Sequence, residues 1–280
     1  MNPYCIDGPA TISFSGGRSS AYMLAKILEA HGGKLPDDVK VLFANTGKEA
    51  EATLRFVRAC EENFGVEIVW LEYEQAEKPK DRWKVVNFDS ASRNGEPLEK
   101  IFADRRFLPN PVTRICTAYG KIKPMKYYAR DVLGFKGWDV VIGFRGDEPR
   151  RVAKLSIDQK EGYTRSAPMA RAGVSVFDVA DFWRRQSFDL ELPNHGGVAP
   201  HGNCDLCFLK SADRVFSLIC ETPDKAIWWI KQEETPIADK AESNLFRLDR
   251  PSYRAMYEAA LAYGSLSFGD ECLTDCACTD

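Results

Sequence analysis

Residues 10–20, ATISFSGGRSS, restrict this chain more than any other stretch. ATISFS (10–15) is an apolar, β-branched run suited to a buried strand. Beyond it, Met23, Leu24, Ile27 and Leu28 share one face of a helix. Two glycines at the joint let the backbone approach a phosphate closely, and the first amides of the helix point at such an anion. Ser15, Ser19 and Ser20 add hydroxyl donors around Gly16, Gly17 and Arg18. The joint has neither the Gly-Lys-Ser/Thr ending of one phosphate loop nor the GxGxxG spacing of another. Taken alone, it also suits a plain tight turn.

The alternation continues downstream. VKVLFAN (39–45), VEIVWLEY (66–73) and GWDVVIGF (137–144) read as further strands, and Phe56, Val57, Cys60 and Phe64 mark the inner side of a helix between them. This predicts the α/β class, with a mostly parallel open sheet. Residues 74–110 are charged, with scattered Pro and Gly, and read as an insertion with one strand at WKVVNF and one helix. Periodicity turns helical in 174–186, 211–220, 223–234 and 251–264. The expected organisation is a nucleotide-binding α/β domain over 1–165, a helical region over 166–264 and a Cys-rich tail over 265–280. With 280 residues, 44% hydrophobic, 28% charged and a net charge of −3, the chain has the balance of a soluble globular protein without global basicity. It has no run of about 18 apolar residues to span a membrane. It opens without a basic stretch leading into a long apolar one, so the expected location is the cytoplasm.

Four segments, in order, carry a resemblance. Ser13 to Ser20 resembles the SGGxDS loop of PP-loop ATP pyrophosphatases, with Ser19 where that loop has Asp. Asn45-Thr46-Gly47-Lys48-Glu49, followed by Glu51 to Phe56, resembles the NTG.E..ET..F signature of the phosphoadenylylsulfate reductase branch. Arg114-Ile115-Cys116-Thr117 with Lys121-Ile122-Lys123-Pro124 is similar to its CC…K.EP segment, and Gly143 to Arg151 resembles G.R.DES..R. The resemblance implies an adenine nucleotide alpha-hydrolase-like fold with a C-terminal helical region. It implies that Ser15, Gly16, Gly17, Arg18, Ser19 and Ser20 bind ATP or phosphoadenylyl sulfate. Asn45, Thr46, Gly47 and Glu49 would join them, as would Gly143, Arg145, Asp147, Glu148 and Arg150. Asp147 and Glu148 would hold Mg²⁺ or ribose, and Arg145 and Lys121 are the expected catalytic cations. The intact Gly16-Gly17 pair favours ATP, because sulfonucleotide reductases tend to have altered loops.

Nine cysteines read as metal ligands or redox thiols before disulfides in such a chain. Cys204-Asp205-Leu206-Cys207 is a CxxC beside His201, a spacing shared by zinc knuckles and redox pairs. In iron–sulfur sulfonucleotide reductases a CC pair and a distant CxxC hold a 4Fe–4S cluster. The resemblance places Cys116, Cys204 and Cys207 in that set, with Thr117 where the second Cys of the pair belongs. Either Cys220 closes the set, or one iron stays open to carry sulfide; zinc is the rival metal. Glu271-Cys272 matches the start of the reductases' mobile ECGLH segment, which implies Cys272 as a nucleophile. The spacing with Cys276 and Cys278 equally suits a persulfide relay or a second metal site. Cys60 is a core residue, and His31, His195 and His201 form no catalytic constellation.

These readings predict a PP-loop enzyme that adenylylates a substrate, releases pyrophosphate and transfers sulfur with an iron–sulfur cluster. The alternatives are a sulfonucleotide reductase releasing sulfite and a nucleotide-binding protein without chemistry. The basic stretch from Lys121 to Arg130 suits a nucleic-acid acceptor of the sulfur or an ordinary solvated helix face. A homo-oligomer is compatible with each reading.

Overall fold

A computed structural model describes residues 2–155, 162–193, 201–202, 204–236 and 244–267. The sequence divides into two compact units, one made of Met1–Arg105 with Arg114–Asp205, the other of Arg106–Thr113 with Leu206–Asp280.

The first unit is an α/β sheet domain. Its six strands are β1 (Ala10–Phe14), β2 (Val39–Ala44), β3 (Ile68–Glu72), β4 (Lys84–Val86), β5 (Trp138–Ile142) and β6 (Tyr163–Ser166). They lie in the order β4-β3-β2-β1-β5-β6. All neighbours run parallel except β3 and β4, which form an antiparallel edge. The expected α/β class with a mostly parallel open sheet is what the chain forms. The helices of this unit are α1 (Arg18–Ala30), α2 (Glu51–Phe64), α3 (Glu96–Arg105), α4 (Ile115–Thr117), α5 (Lys123–Asp131), α6 (Pro149–Val152), α7 (Pro168–Arg171) and α8 (Val176–Trp183). A π-turn, Ala118–Ile122, joins α4 to α5.

Side chains alternate across the strands, so each strand serves two faces. Ile12, Phe14, Val41, Phe43 and Trp70 face the core shared with Met23, Leu24 and Ile27 of α1 and with Phe56, Val57 and Cys60 of α2. Leu42, Val69 and Leu71 face the other way, against Met125 and Tyr128 of α5. Gly65, with φ +61°, ends α2 in the left-handed conformation that glycine takes without strain.

The sequence pattern places four strands and the WKVVNF strand, and all five form. It misses β6. That strand is Tyr-Thr-Arg-Ser, without the apolar alternation that marks a half-buried strand, and it holds its place by parallel pairing with β5. The segment after 165 divides differently from the expectation. Its first part, through α8 to Asp205, belongs to the sheet domain. The cause is aromatic packing: Tyr22 and Phe182 are 5.1 Å apart edge-on, Phe56 and Trp183 are 5.0 Å apart, and Trp183 Nε1 donates to the Arg18 carbonyl. Each such ring pair is worth about 0.5–1.5 kcal/mol beyond its buried area. Ser175 and Asp178 close a reciprocal capping box at the start of α8.

The second unit is helical, with α9 (Ala212–Glu221), α10 (Lys225–Glu234) and α11 (Tyr253–Ser267). Its core stacks Trp229 on Tyr253 at 5.2 Å and Phe208 on Phe246 at 5.6 Å. The Glu233 carboxylate accepts from the backbone amides of Tyr253 and Phe246. Among the described residues, no helix is long and apolar enough to cross a membrane.

Candidate functional site

The chain leaves β1 for β2 and β3 on one side and returns through β5 on the other. The point where strand order reverses, above the carboxyl ends of β1 and β5, is where open α/β sheets bind ligands. Two loops meet there, Ser15–Gly17 after β1 and Gly143–Glu148 after β5.

The first loop is braced by its own serine. Ser20 Oγ accepts from Ser15 N at 3.2 Å and Ser15 Oγ at 3.0 Å, and donates to the Gly17 carbonyl at 2.9 Å. Gly16 has φ +72°, and a Cβ there would lie 2.7 Å from Thr53 Cγ2. Gly17 differs. A Cβ on it would meet only Ser15 Oγ, at 3.7 Å, so its outer side stays open. The two glycines therefore divide the work: Gly16 makes the turn, and Gly17 leaves room above the first amides of α1. Arg18 turns away from this space. It makes a bidentate pair with Asp189, both contacts at 2.7 Å, and also donates to the Leu190 carbonyl. These contacts tie α1 to the segment after α8.

The second loop supplies the cation. Arg145 Nη1 donates to Ser19 Oγ at 3.2 Å, and Nε donates to Asp147 Oδ1 at 2.8 Å. Asp147 Oδ2 accepts from Val176 N at the start of α8. Glu148 accepts from Arg145 N through one oxygen and from Arg151 Nη1 through the other. With Glu148 Oε2 also 3.7 Å from Nη1, the guanidinium is held from three directions beside the loop. Gly143 permits the closeness, since a Cβ there would lie 3.3 Å from Ser20 Cα. Arg150 stands exposed on α6. Asp147 and Glu148 accept from the Arg145 and Arg151 side chains and from the backbone amides of Val176 and Arg145.

A polar platform lies at the ends of β2 and β3. Asn45 is fully buried. Its amide donates to Glu72 Oε1 and the Ser92 carbonyl, and its Oδ1 accepts from Gly47 N. Gly47, at φ +76°, leaves 3.0 Å between a notional Cβ and Gly95 N. Glu49 Oε2 accepts from Thr46 N at 2.8 Å and Thr46 Oγ1 at 2.7 Å, while Oε1 accepts from Lys121 Nζ at 3.3 Å. Lys121 stands in the π-turn, an irregularity that often serves a functional side chain. Burial works against its charge, yet the Glu49 carboxylate and the thiols of Cys204 and Cys116 hold its pKa above the usual lysine range. Thr46 Oγ1 also lies 3.4 Å from Cys204 Sγ, and Glu49 bridges Cys204 through the backbone. The next pair along, Lys48 Nζ and Asp205 Oδ2 at 2.9 Å, ties the residue after Cys204 to this platform.

Sequence reasoning passed over Glu72. It is wholly buried and binds Asn45, Ser92 N and Ser92 Oγ. Its only signal was a carboxylate closing an otherwise apolar strand.

Among the described residues, no group of three or more His, Cys, Asp or Glu side chains is placed to hold a metal ion. Cys116 and Cys204 lie around Lys121, whereas Cys207 and Cys220 fall in the helical unit, Cys220 exposed on α9. His195 and the Cys272, Cys276 and Cys278 tail lie outside the described residues.

Residues 9–179 match the phosphoadenosine phosphosulfate reductase domain. The chain is similar to the uncharacterized nin region protein ORF290 of Escherichia phage lambda, 30% identical over 223 residues covering 75% of this chain and 69% of the relative. It is also similar to the uncharacterized protein MJ0973 of Methanocaldococcus jannaschii, 24% identical over 61% of this chain and only 33% of the longer relative. Among solved structures it is similar to phosphoadenylyl-sulfate reductase from Candida auris in a phosphate complex, with 12% identity, a TM-score of 0.40 and coverage of 64% and 72% of the two chains. It is similar too to the U34-tRNA thiolase NcsA from Methanococcus maripaludis with its 4Fe–4S cluster, with 16% identity, a TM-score of 0.37 and coverage of 97% and 77%.

Proposed function

This chain belongs to the phosphoadenosine phosphosulfate reductase domain family, and from that premise we propose that it is an enzyme acting on the phosphates of ATP. In this reading the open amides above Gly17 cradle the β- and γ-phosphates, and an oxygen of a second substrate attacks the α-phosphorus. The new O–P bond forms as the bond to pyrophosphate breaks, and pyrophosphate leaves with the electron pair. Arg145 and the loop amides stabilise the charge that develops on it. Mg²⁺ would arrive with the nucleotide, with Asp147 and Glu148 of the adjacent loop as its candidate protein ligands. A sulfur nucleophile then attacks the carbon that bears the adenylylated oxygen, and the C–S bond forms as the C–O bond breaks and AMP leaves with that oxygen. Cys116 and Cys204, whose thiolates Lys121 would favour, are the candidate sulfur carriers of the described chain. Cys116, Cys204, Cys207 and Cys220 are the residues that would hold an iron–sulfur cluster, and no step is routed through one.

The single observation that carries this reading is Arg145 Nη1 resting 3.2 Å from Ser19 Oγ across the reversal point of the sheet. A second reading, reduction of a phosphosulfate nucleotide, draws its support from the family match. Two assays separate them. Calorimetry should give Mg²⁺–ATP binding that Arg145→Ala weakens, with pyrophosphate released on addition of acceptor extracts. Sulfite release from phosphoadenylyl sulfate, with no ATP binding, would overturn the first reading in favour of the second.

A further inference from the structure

Where the family's K.EP segment has glutamate, this chain has Lys123. The exchange matters because of what stands around that position. Lys123 Nζ lies 3.7 Å from the centroid of the Tyr119 ring, and the Arg105 guanidinium lies 3.8 Å from the same centroid. Tyr119 belongs to the π-turn, Lys123 opens α5 and Arg105 closes α3. Both cations are drawn to the one ring, yet they repel each other.

The surroundings leave that repulsion standing. Arg82, Arg105 and Lys123 line a cavity of about 10 Å³ together with Tyr73, Tyr119 and Tyr127, and none of its described lining residues is acidic. One carboxylate serves the group. Asp104 Oδ2 accepts from Arg82 Nη1 at 2.7 Å and from Tyr73 OH at 3.2 Å, and pairs with Arg105 Nη2 at 3.1 Å. Arg82 Nε is satisfied by the Ala76 carbonyl. Arg105 Nε, by contrast, is buried and has no hydrogen-bond partner among the described residues. A buried N–H of a charged group is costly to leave idle. One negative charge is thus set against three positive ones, around a space that admits a single water-sized particle.

We propose that this cavity is a halide site, in which Arg105 Nε and Lys123 Nζ hold one chloride ion. Charge calls for an anion, because a water molecule would satisfy the idle N–H and leave the surplus uncompensated. Volume calls for a monatomic one. A tetrahedral oxyanion is too large for the space, so the site is not one for the phosphate or sulfate of a nucleotide. Glutamate at position 123 would bring the negative charge on the chain itself; with lysine there, it comes from solution. Once bound, the ion fastens the end of α3 and the segment Pro79–Arg82 to the π-turn and α5.

Thermal unfolding of the full chain reads the site when sodium chloride is exchanged for sodium gluconate at fixed ionic strength, which holds screening constant. An ion that binds only the folded chain raises the midpoint, and going from about 10 mM to about 300 mM chloride should raise it by about 2–4 °C. Sodium bromide should act alike. Lys123→Glu offers Arg105 a carboxylate, so it should melt no lower than the parent and lose the chloride dependence. Lys123→Gln removes the cation and supplies no carboxylate; it should lose most of the chloride shift and melt below Lys123→Glu. The chlorine NMR line width gives a reading independent of unfolding: the parent should broaden it, and Lys123→Glu should not. A parent midpoint equal in chloride and gluconate would show that water fills the cavity. Chloride shift and line broadening kept in Lys123→Glu would put the ion elsewhere. Either result overturns the proposal. Should Lys123→Glu fold poorly, the line width with Lys123→Gln decides, and broadening equal to the parent's overturns it.

Discussion

Glu49 Oε1 lies 3.3 Å from Lys121 Nζ, while the other oxygen of the same carboxylate takes both the amide and the hydroxyl of Thr46. One buried carboxylate therefore shapes the turn after β2 and keeps a lysine charged beside two thiols. Glu49→Ala strands two donors and a cation and should cost about 2–3 kcal/mol of stability. Glu49→Gln keeps an acceptor for Thr46 and should cost about half as much. Urea unfolding measures both. Equal losses would mean that the carboxylate acts through its charge alone.

The two loop glycines should part company under substitution. Gly16→Ala forces a Cβ into a left-handed residue and against Thr53, at about 1–3 kcal/mol. Its damage should appear in thermal unfolding before any ligand is added. Gly17→Val meets only Ser15 Oγ and should leave the melting temperature within a few degrees of the parent. Its damage should appear in calorimetry as lost ATP binding. Intact ATP affinity in a folded Gly17→Val protein would remove the phosphate loop from the site.

Cysteine reactivity gives a third check. Burial, reinforced by Glu61, pushes the Cys60 thiol far above its usual range, and the side chain is inaccessible. Cys116 and Cys204 are partly exposed, and Lys121 faces both. Iodoacetamide at neutral pH should modify Cys116 and Cys204 well before Cys60, and Lys121→Ala should slow the first two by about threefold to tenfold. Peptide mass spectrometry reads each site separately. Identical rates with and without Lys121 would remove it as a thiolate partner.

What could be read in advance follows a physical division. The strand–glycine–helix joint was legible because only glycine and small hydroxyl residues suit a phosphate turn, and the long apolar strands were legible by periodicity. β6 was not, because Tyr163–Ser166 is held by its neighbour rather than by its own pattern. The contacts of Arg18 with Asp189 and of Ser20 with Ser15 were not legible either. A motif marks which residues gather at a loop, but only side-chain direction separates those facing a ligand from those bracing the backbone. The cysteines show the same limit. The resemblance proposed a four-membered set, and it did not foretell that Cys116 and Cys204 both stand beside Lys121.

The last prediction concerns pH and the helical unit. Burial raises the pKa of Glu233 above the ordinary glutamate value of 4.5, although amide donors from Tyr253 and Phe246 and the charge of Arg250 pull the other way. The folded chain therefore holds this proton more firmly than the unfolded chain does. Linkage fixes the sign: the contribution is fully present below the unfolded value and is lost as pH rises through the folded one. Unfolding free energy should then decline with rising pH across the window that begins near 4.5 and closes above the raised folded value. Glu233→Gln should lose that share of the slope. It should also pay a pH-independent penalty of about 1–3 kcal/mol, because its NH₂ now faces one of the two amides. Urea titrations of both proteins over a pH series give the difference curve. A flat difference across that window would show that Glu233 titrates alike in the folded and unfolded chains.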